Sequence, residues 1–165
     1  MRRADLRNGI RQTGGVADDD ATYLAVTRLQ RTYGDVVSRR AWYELSDLCA
    51  PGATFTFDFG EGPPVDLDGV EALQQFGARA VARFSFYSYA VLNNAVITDD
   101  TVDAARARLD IVERSVDPET DEWLEYYGHY DDEIVRVDGR WRFLRRHYRT
   151  TARRVSTSAV TVYER

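Results

Sequence analysis

His129 and His147 are the only histidines of the chain, and imidazole is the side chain whose ordinary pKa suits proton shuttling near neutrality. Tyr33 supplies a hydroxyl that, held in a dry site, donates a hydrogen bond to a carbonyl or a developing enolate. Its ordinary alternative is a core tyrosine with the hydroxyl satisfied at the rim. Glu113 closes a row of apolar alternate positions, Ala105, Ala107, Leu109 and Ile111. A carboxylate in that low-dielectric setting has a raised pKa and serves as a general acid or base. The alternative is a strand that ends in water, with Glu113 paired to Arg114 or Arg149. There is no phosphate-binding glycine loop, Ser-His-Asp ordering, HExxH or CxxC motif. One cysteine, Cys49, excludes an intrachain disulfide and a thiolate metal cluster. The expected chemistry is proton transfer with no cofactor and no metal.

Aromatic residues make up 12% of the chain, and most of them belong in a core. Tyr87 and Tyr89, on one strand face, suit a pocket for a flat or polycyclic ligand through stacking and hydroxyl contacts. Trp42, Phe57, Tyr127 and Arg149 complete the expected ligand contacts. Arg145, Arg146, Arg149, Arg153 and Arg154 form a basic run. It reads either as a charged surface bridged to the acidic 117–122 loop or as an attractor for an anionic substrate group.

The elements that must position these groups begin with a hairpin. Asp138-Gly139 sits between two strand-like runs, and a type I′ turn needs positive φ at both central residues, which Asp-Gly supplies at low cost. Val137 then lies opposite Arg140, and His147 opposite Tyr130, one position from His129. Adjacent positions point to opposite sheet faces. The histidines therefore diverge unless a bulge intervenes, which speaks against a two-histidine metal site. At most one of them serves a cavity, and His147, near Arg145 and Arg149, is the better placed.

Upstream, Asp18-Asp19-Asp20 offers capping carboxylates for a helix over 21–39, whose buried stripe is Val26, Leu29, Tyr33, Val36 and Val37. Gly34 within it costs about 1 kcal/mol relative to Ala, which close packing would offset. A short helix follows over 42–48, then a strand over 53–59 with Phe55, Phe57 and Phe59 on one side. A third helix spans 70–83 with Val70, Leu73, Phe76 and Ala80 inward. Strands follow over 87–98, with poor alternation, 101–114 and 123–137. Residues 1–17 read as a loose arm, 18–149 as the domain, and 150–165 as an extension that adds an edge strand or reaches a partner subunit. Helices first and mostly antiparallel strands after them describe an α+β fold, a curved sheet with helices over its concave face.

The chain has 165 residues, enough for one well-buried core. Apolar residues are 44% and charged residues 30%, a globular composition. The net charge of −5, from 27 acids and 22 bases, disfavours nucleic acid as a partner. Every base is arginine, a bias spread over the whole chain. No window approaches 18 apolar residues, so no membrane partner is expected, and the first residues lack the apolar core of a signal peptide. A cytoplasmic protein is expected.

The order of these signals resembles the SnoaL-like branch of the nuclear-transport-factor-2-like superfamily, over about residues 20 to 149. The resemblance rests on Tyr33 and the Arg39-Arg40-x-Trp42 junction, the passage from Leu45 to Phe55, and Asp68-Gly69-Val70-Glu71-Ala72. It ends on Gly128, Tyr130 and Asp132, followed by Asp138-Gly139 and Trp141. It implies a cone-shaped α+β fold, a deep apolar pocket for a hydrophobic small molecule and a homodimer. The implied activities are those of lyases, dehydratases, isomerases and cyclases. Proton-transferring members pair an aspartate near the end of the first helix with a strand histidine. Those positions fall here on Ser38 and on Ala90 or Tyr89, so the usual dyad is missing. The alternative to an enzyme is a non-catalytic binding or assembly protein on the same scaffold.

Overall fold

A computed structural model describes residues 16–93 and 96–156 of the chain. Helix α1 spans Val16–Arg39, a 3-10 turn Trp42–Glu44 leads into α2, Leu45–Leu48, and α3 spans Gly69–Val81. The strands are β1 Cys49–Asp58, β2 Val65–Asp68, β3 Phe86–Val91, β4 Val96–Asp100, β5 Ala104–Asp117, β6 Glu122–Val137 and β7 Arg140–Ser156. The sheet order is β2-β1-β7-β6-β5-β3, with β4 also paired to β5. All pairs are antiparallel except β1 with β7. This is the expected α+β architecture, a curved sheet with the helices on one face.

Helix α1 lies on the sheet because its stripe is apolar at helical spacing. Val26 and Val36 are fully buried, and Leu29, Tyr33 and Val37 nearly so. They pack against Leu109, Ile111, Ile134 and Phe143 of the sheet. Each such aliphatic side chain contributes about 1.5–3 kcal/mol by leaving water. Helix α1 already begins at Val16, so Asp18 to Asp20 lie within its first turns rather than before them. Gly34 does mark a close approach. A Cβ there would stand 2.7 Å from the Tyr89 ring, which lets β3 come up against α1. Gly34→Ala is expected to destabilise the fold by about 1–3 kcal/mol through overpacking, despite alanine's better helix propensity; urea denaturation measures it.

The Asp138-Gly139 turn forms as expected, with φ of 50° and 75° and Val137 opposite Arg140. Further along, the register moves. Ile134 pairs with Phe143 but Glu133 pairs with Arg145, which leaves Leu144 as an extra residue in β7. A bulge of this kind shifts every later partner by one. His147 therefore faces Asp131, not Tyr130. The strand expected over 87–98 is two strands, β3 and β4, lying end to end along β5, and β4 carries a bulge between Ile97 and Asp99. That break accounts for the poor alternation. Residues 150–156 continue β7 beside β6 and form no separate edge strand; residues 1–15 and 157–165 lie outside the described residues. No described helix is long and apolar enough to cross a membrane.

Candidate active site

A cavity of about 300 Å³ lies between α1, the α2 region, α3 and the concave face of the sheet. Phenylalanines from β1 and α3 form one wall. Phe57 lies 5.0 Å from Phe76 and 6.1 Å from Phe59, centroid to centroid. Trp42 closes the cavity beside Gly77, where a Cβ would come within 2.7 Å of its ring. Exposed Glu61, Arg83 and half-exposed Phe59 mark the mouth. The polar groups inside are Glu113 and Ser115 of β5, Tyr33, Tyr87, Tyr126, Tyr130 and Tyr148.

Glu113 is the ionisable group that stands out. Strand β5 runs on to Asp117, so its alternating inward face does not end in water at this residue. Neither suggested arginine reaches it: Arg114 pairs with Glu125 at 3.1 Å and Arg149 with Asp58 at 3.5 Å. Burial pushes the Glu113 carboxyl up to about 7, while the Tyr87 hydroxyl, within hydrogen-bonding range, pulls it back somewhat. A carboxyl at that value exchanges protons near neutral pH.

Ser38, at the expected aspartate position, and Tyr89, one of the two alternatives for the histidine position, do come together. Ser38 Oγ accepts a hydrogen bond from the Tyr89 backbone N–H at 3.0 Å. This contact ties α1 to β3 and supplies no acid or base. Tyr89, however, is the register partner of Glu113 on the neighbouring strand. The carboxyl thus stands one strand over from Tyr89, whereas the other alternative, Ala90, lies opposite Val112.

Tyr33, named above for its hydroxyl chemistry, and Trp42, Phe57 and Tyr87, named above as ligand contacts, all line the cavity. The other residues singled out are placed elsewhere. His147 and His129 share the outer face of the sheet, because the extra residue Leu144 brings His147 opposite exposed Asp131. His129 Nε2 lies 3.6 Å from Asp131 Oδ2 on that face. Both are thus corrected as cavity residues: neither lines it, and they do not diverge. Tyr127 also points outward, its hydroxyl 3.4 Å from Glu125. Its neighbour Tyr126, opposite Glu113 in register, takes the cavity position. Tyr89 points inward but packs behind the cavity against Tyr33 and Gly34. Arg149 faces outward to Asp58.

Within the basic run one arginine behaves unlike the rest. Arg146 is buried, and its Nε donates to Asp132 Oδ1 at 2.8 Å and its Nη2 to Asp132 Oδ2 at 3.3 Å. Gln30 Nε2 donates to the same Oδ2 at 2.8 Å. The guanidinium carbon lies 4.1 Å from the Tyr33 ring centre, 3.9 Å from Tyr130 and 4.0 Å from Phe143. A signal for this cluster exists in the chain: Tyr130-x-Asp132-x-Ile134 places a carboxylate in the middle of an apolar stripe. A buried carboxylate needs a cation, and Arg146 shares a face with Tyr148.

Comparison with known proteins agrees with this fold. A family model described as SnoaL-like domain matches residues 20–147. Hexachlorocyclohexane dehydrochlorinase LinA-type3 from Novosphingobium barchaimii superposes with a TM-score of 0.77 at 19% identity, over 90% of this chain and 99% of that one. A candidate scytalone dehydratase from Novosphingobium aromaticivorans gives 0.73 at 21% identity, over 88% and 93%. At such identities the likeness is one of fold. A comparison with curated proteins found no match. With the family match covering most of the chain and the cone-shaped fold in place, the chain belongs to the SnoaL-like family of nuclear-transport-factor-2-like proteins.

Proposed function

We propose that the protein is a lyase that eliminates a leaving group from a small hydrophobic, cyclic substrate without a cofactor, using Glu113 as the base. The observation that carries this reading is a carboxyl inside a largely apolar cavity, held near neutrality and with no arginine partner among the described residues. A proton on carbon passes to the Glu113 carboxylate, the C–H electron pair becomes the new π bond, and the leaving group departs with its own electrons. Where the leaving atom, or a carbonyl next to the carbon that loses its proton, is oxygen, tyrosine hydroxyls donate hydrogen bonds to it as charge accumulates there. The names of two similar structures, a dehydratase and a dehydrochlorinase, describe eliminations and support the reaction class. A cavity of about 300 Å³ suits one or two rings.

The test needs no knowledge of the natural substrate. The probe 5-nitrobenzisoxazole is opened when a base takes its ring C–H proton; the N–O bond breaks and a coloured cyanophenolate forms. The expected rate rises with pH through a midpoint near 7, the value at which the carboxyl loses its proton. Glu113→Gln should lower it by about 100-fold or more. A wild-type rate no greater than that of the variant would remove Glu113 as a base and favour a non-catalytic binding protein.

A further inference from the structure

We propose that Tyr33 and Tyr130 form an anion-holding wall of this cavity, suited to a phenolate or enolate oxygen, and that Arg146 is the positioning residue that polarises them from behind. The inference deepens the reading of the cavity as a reaction site by naming what stands opposite Glu113. Both tyrosines line the cavity, whereas Arg146 does not. Arg146 lies within 4.1 Å of both ring centres. A cation against an aromatic face draws electron density from the ring, which makes a phenol hydroxyl a stronger hydrogen-bond donor.

The guanidinium cannot turn away to serve another partner. Its Nε and Nη2 are occupied by Asp132, and Gln30 fixes that carboxylate from α1. The pair is neutral at long range, but the stacked rings meet the face of the cation. The Tyr33 and Tyr130 rings stand 6.1 Å apart, centroid to centroid, and the Tyr130 hydroxyl favours charge on the Tyr33 oxygen. Arg146 and Tyr130 restrain the Tyr33 hydroxyl, which burial pushes up to about 12, while Tyr87, Tyr89 and Tyr130 rise well above the ordinary tyrosine value. The ionisable groups that face this wall are Glu113 of β5, Tyr87 and Tyr89 of β3, Asp132 of β6, Cys49 of β1 and Tyr148 of β7. Of these, Glu113 opposes a bound anion when ionised.

The experiment therefore uses glutamine at 113 throughout. 4-Nitrophenol is bound to Glu113→Gln protein, and its ionisation is followed by absorbance as pH rises. Adding Tyr33→Phe or Arg146→Met should raise the midpoint of the bound phenol by at least about one pH unit, a tenfold loss in its ionisation constant. Arg146→Lys keeps a cation and should restore at least half of that shift. A structural role alone would lower thermal stability and leave the midpoint in place. If Arg146→Met does not fold, Tyr33→Phe and Tyr130→Phe with Arg146→Lys carry the test. An unmoved midpoint in the folded variants, or failure of the phenol to bind, overturns the proposal. Because Glu113 is absent from every arm, this result is separate from whether Glu113 is a base.

Discussion

Glu113→Gln is expected to make the folded protein more stable at pH 8 while it removes the base. The carboxyl stands at about 7 in the folded chain against an ordinary 4.5. Between those values the folded state binds more protons than the unfolded state. Stability therefore falls as pH rises through that window and levels off above it. The whole separation corresponds to about 3 kcal/mol. Glutamine has the same shape and no charge, so the variant should gain about 3 kcal/mol at pH 8 and less than about 1 kcal/mol near pH 5. Urea denaturation of both proteins at the two pH values measures the difference. An equal gap at both pH values would mean that burial does not perturb the carboxyl. Combined with the loss of probe turnover, a pH-dependent gap would mark a group kept at a cost to the fold, as reactive sites often are.

Asp132→Ala should act in the opposite sense and more strongly. It leaves the Arg146 guanidinium buried without its partner, and Gln30 loses its acceptor as well. Breaking a buried pair from one side typically costs about 3–5 kcal/mol, equivalent here to a fall in Tm of about 10 °C. The pair as a whole is another matter. Replacing both partners with apolar residues of similar volume, Asp132→Leu with Arg146→Met, should recover most of the loss, because no charge is then left in the core. Thermal unfolding of the single and double variants gives the coupling directly. Additive losses would show that the two side chains do not depend on one another. The recovered double variant would still lack the cation behind Tyr33 and Tyr130, which separates stability from function at this cluster.

The inward phenylalanines of β1 and the helix stripe were legible because each depends on local periodicity. Phe55 and Phe57 alternate in β1, and Val26, Leu29, Tyr33 and Val36 recur at helical spacing; the structure buries all six. Glu113 was legible for the same reason, since Ala105 to Ile111 already defined the inward face on which it falls. The Asp138-Gly139 turn followed from the two positive φ values that its type demands.

The histidines were not legible, and the reason is one residue. Strand alternation predicts facing only while pairing is uninterrupted, and the extra residue Leu144 advances β7 by one position against β6. His147 then belongs to the outer face with His129, where neither meets the cavity. Arg146 was hidden by the same step, since a run of arginines at the end of a strand has the look of a solvated surface. By itself the sequence determined the elements, the inward face of each uninterrupted strand, and the presence of a carboxylate on one of those faces. Which charges are enclosed together was decided only by the tertiary structure. That outcome depends on register across strands distant in the chain, where a single bulge exchanges the two faces of everything beyond it.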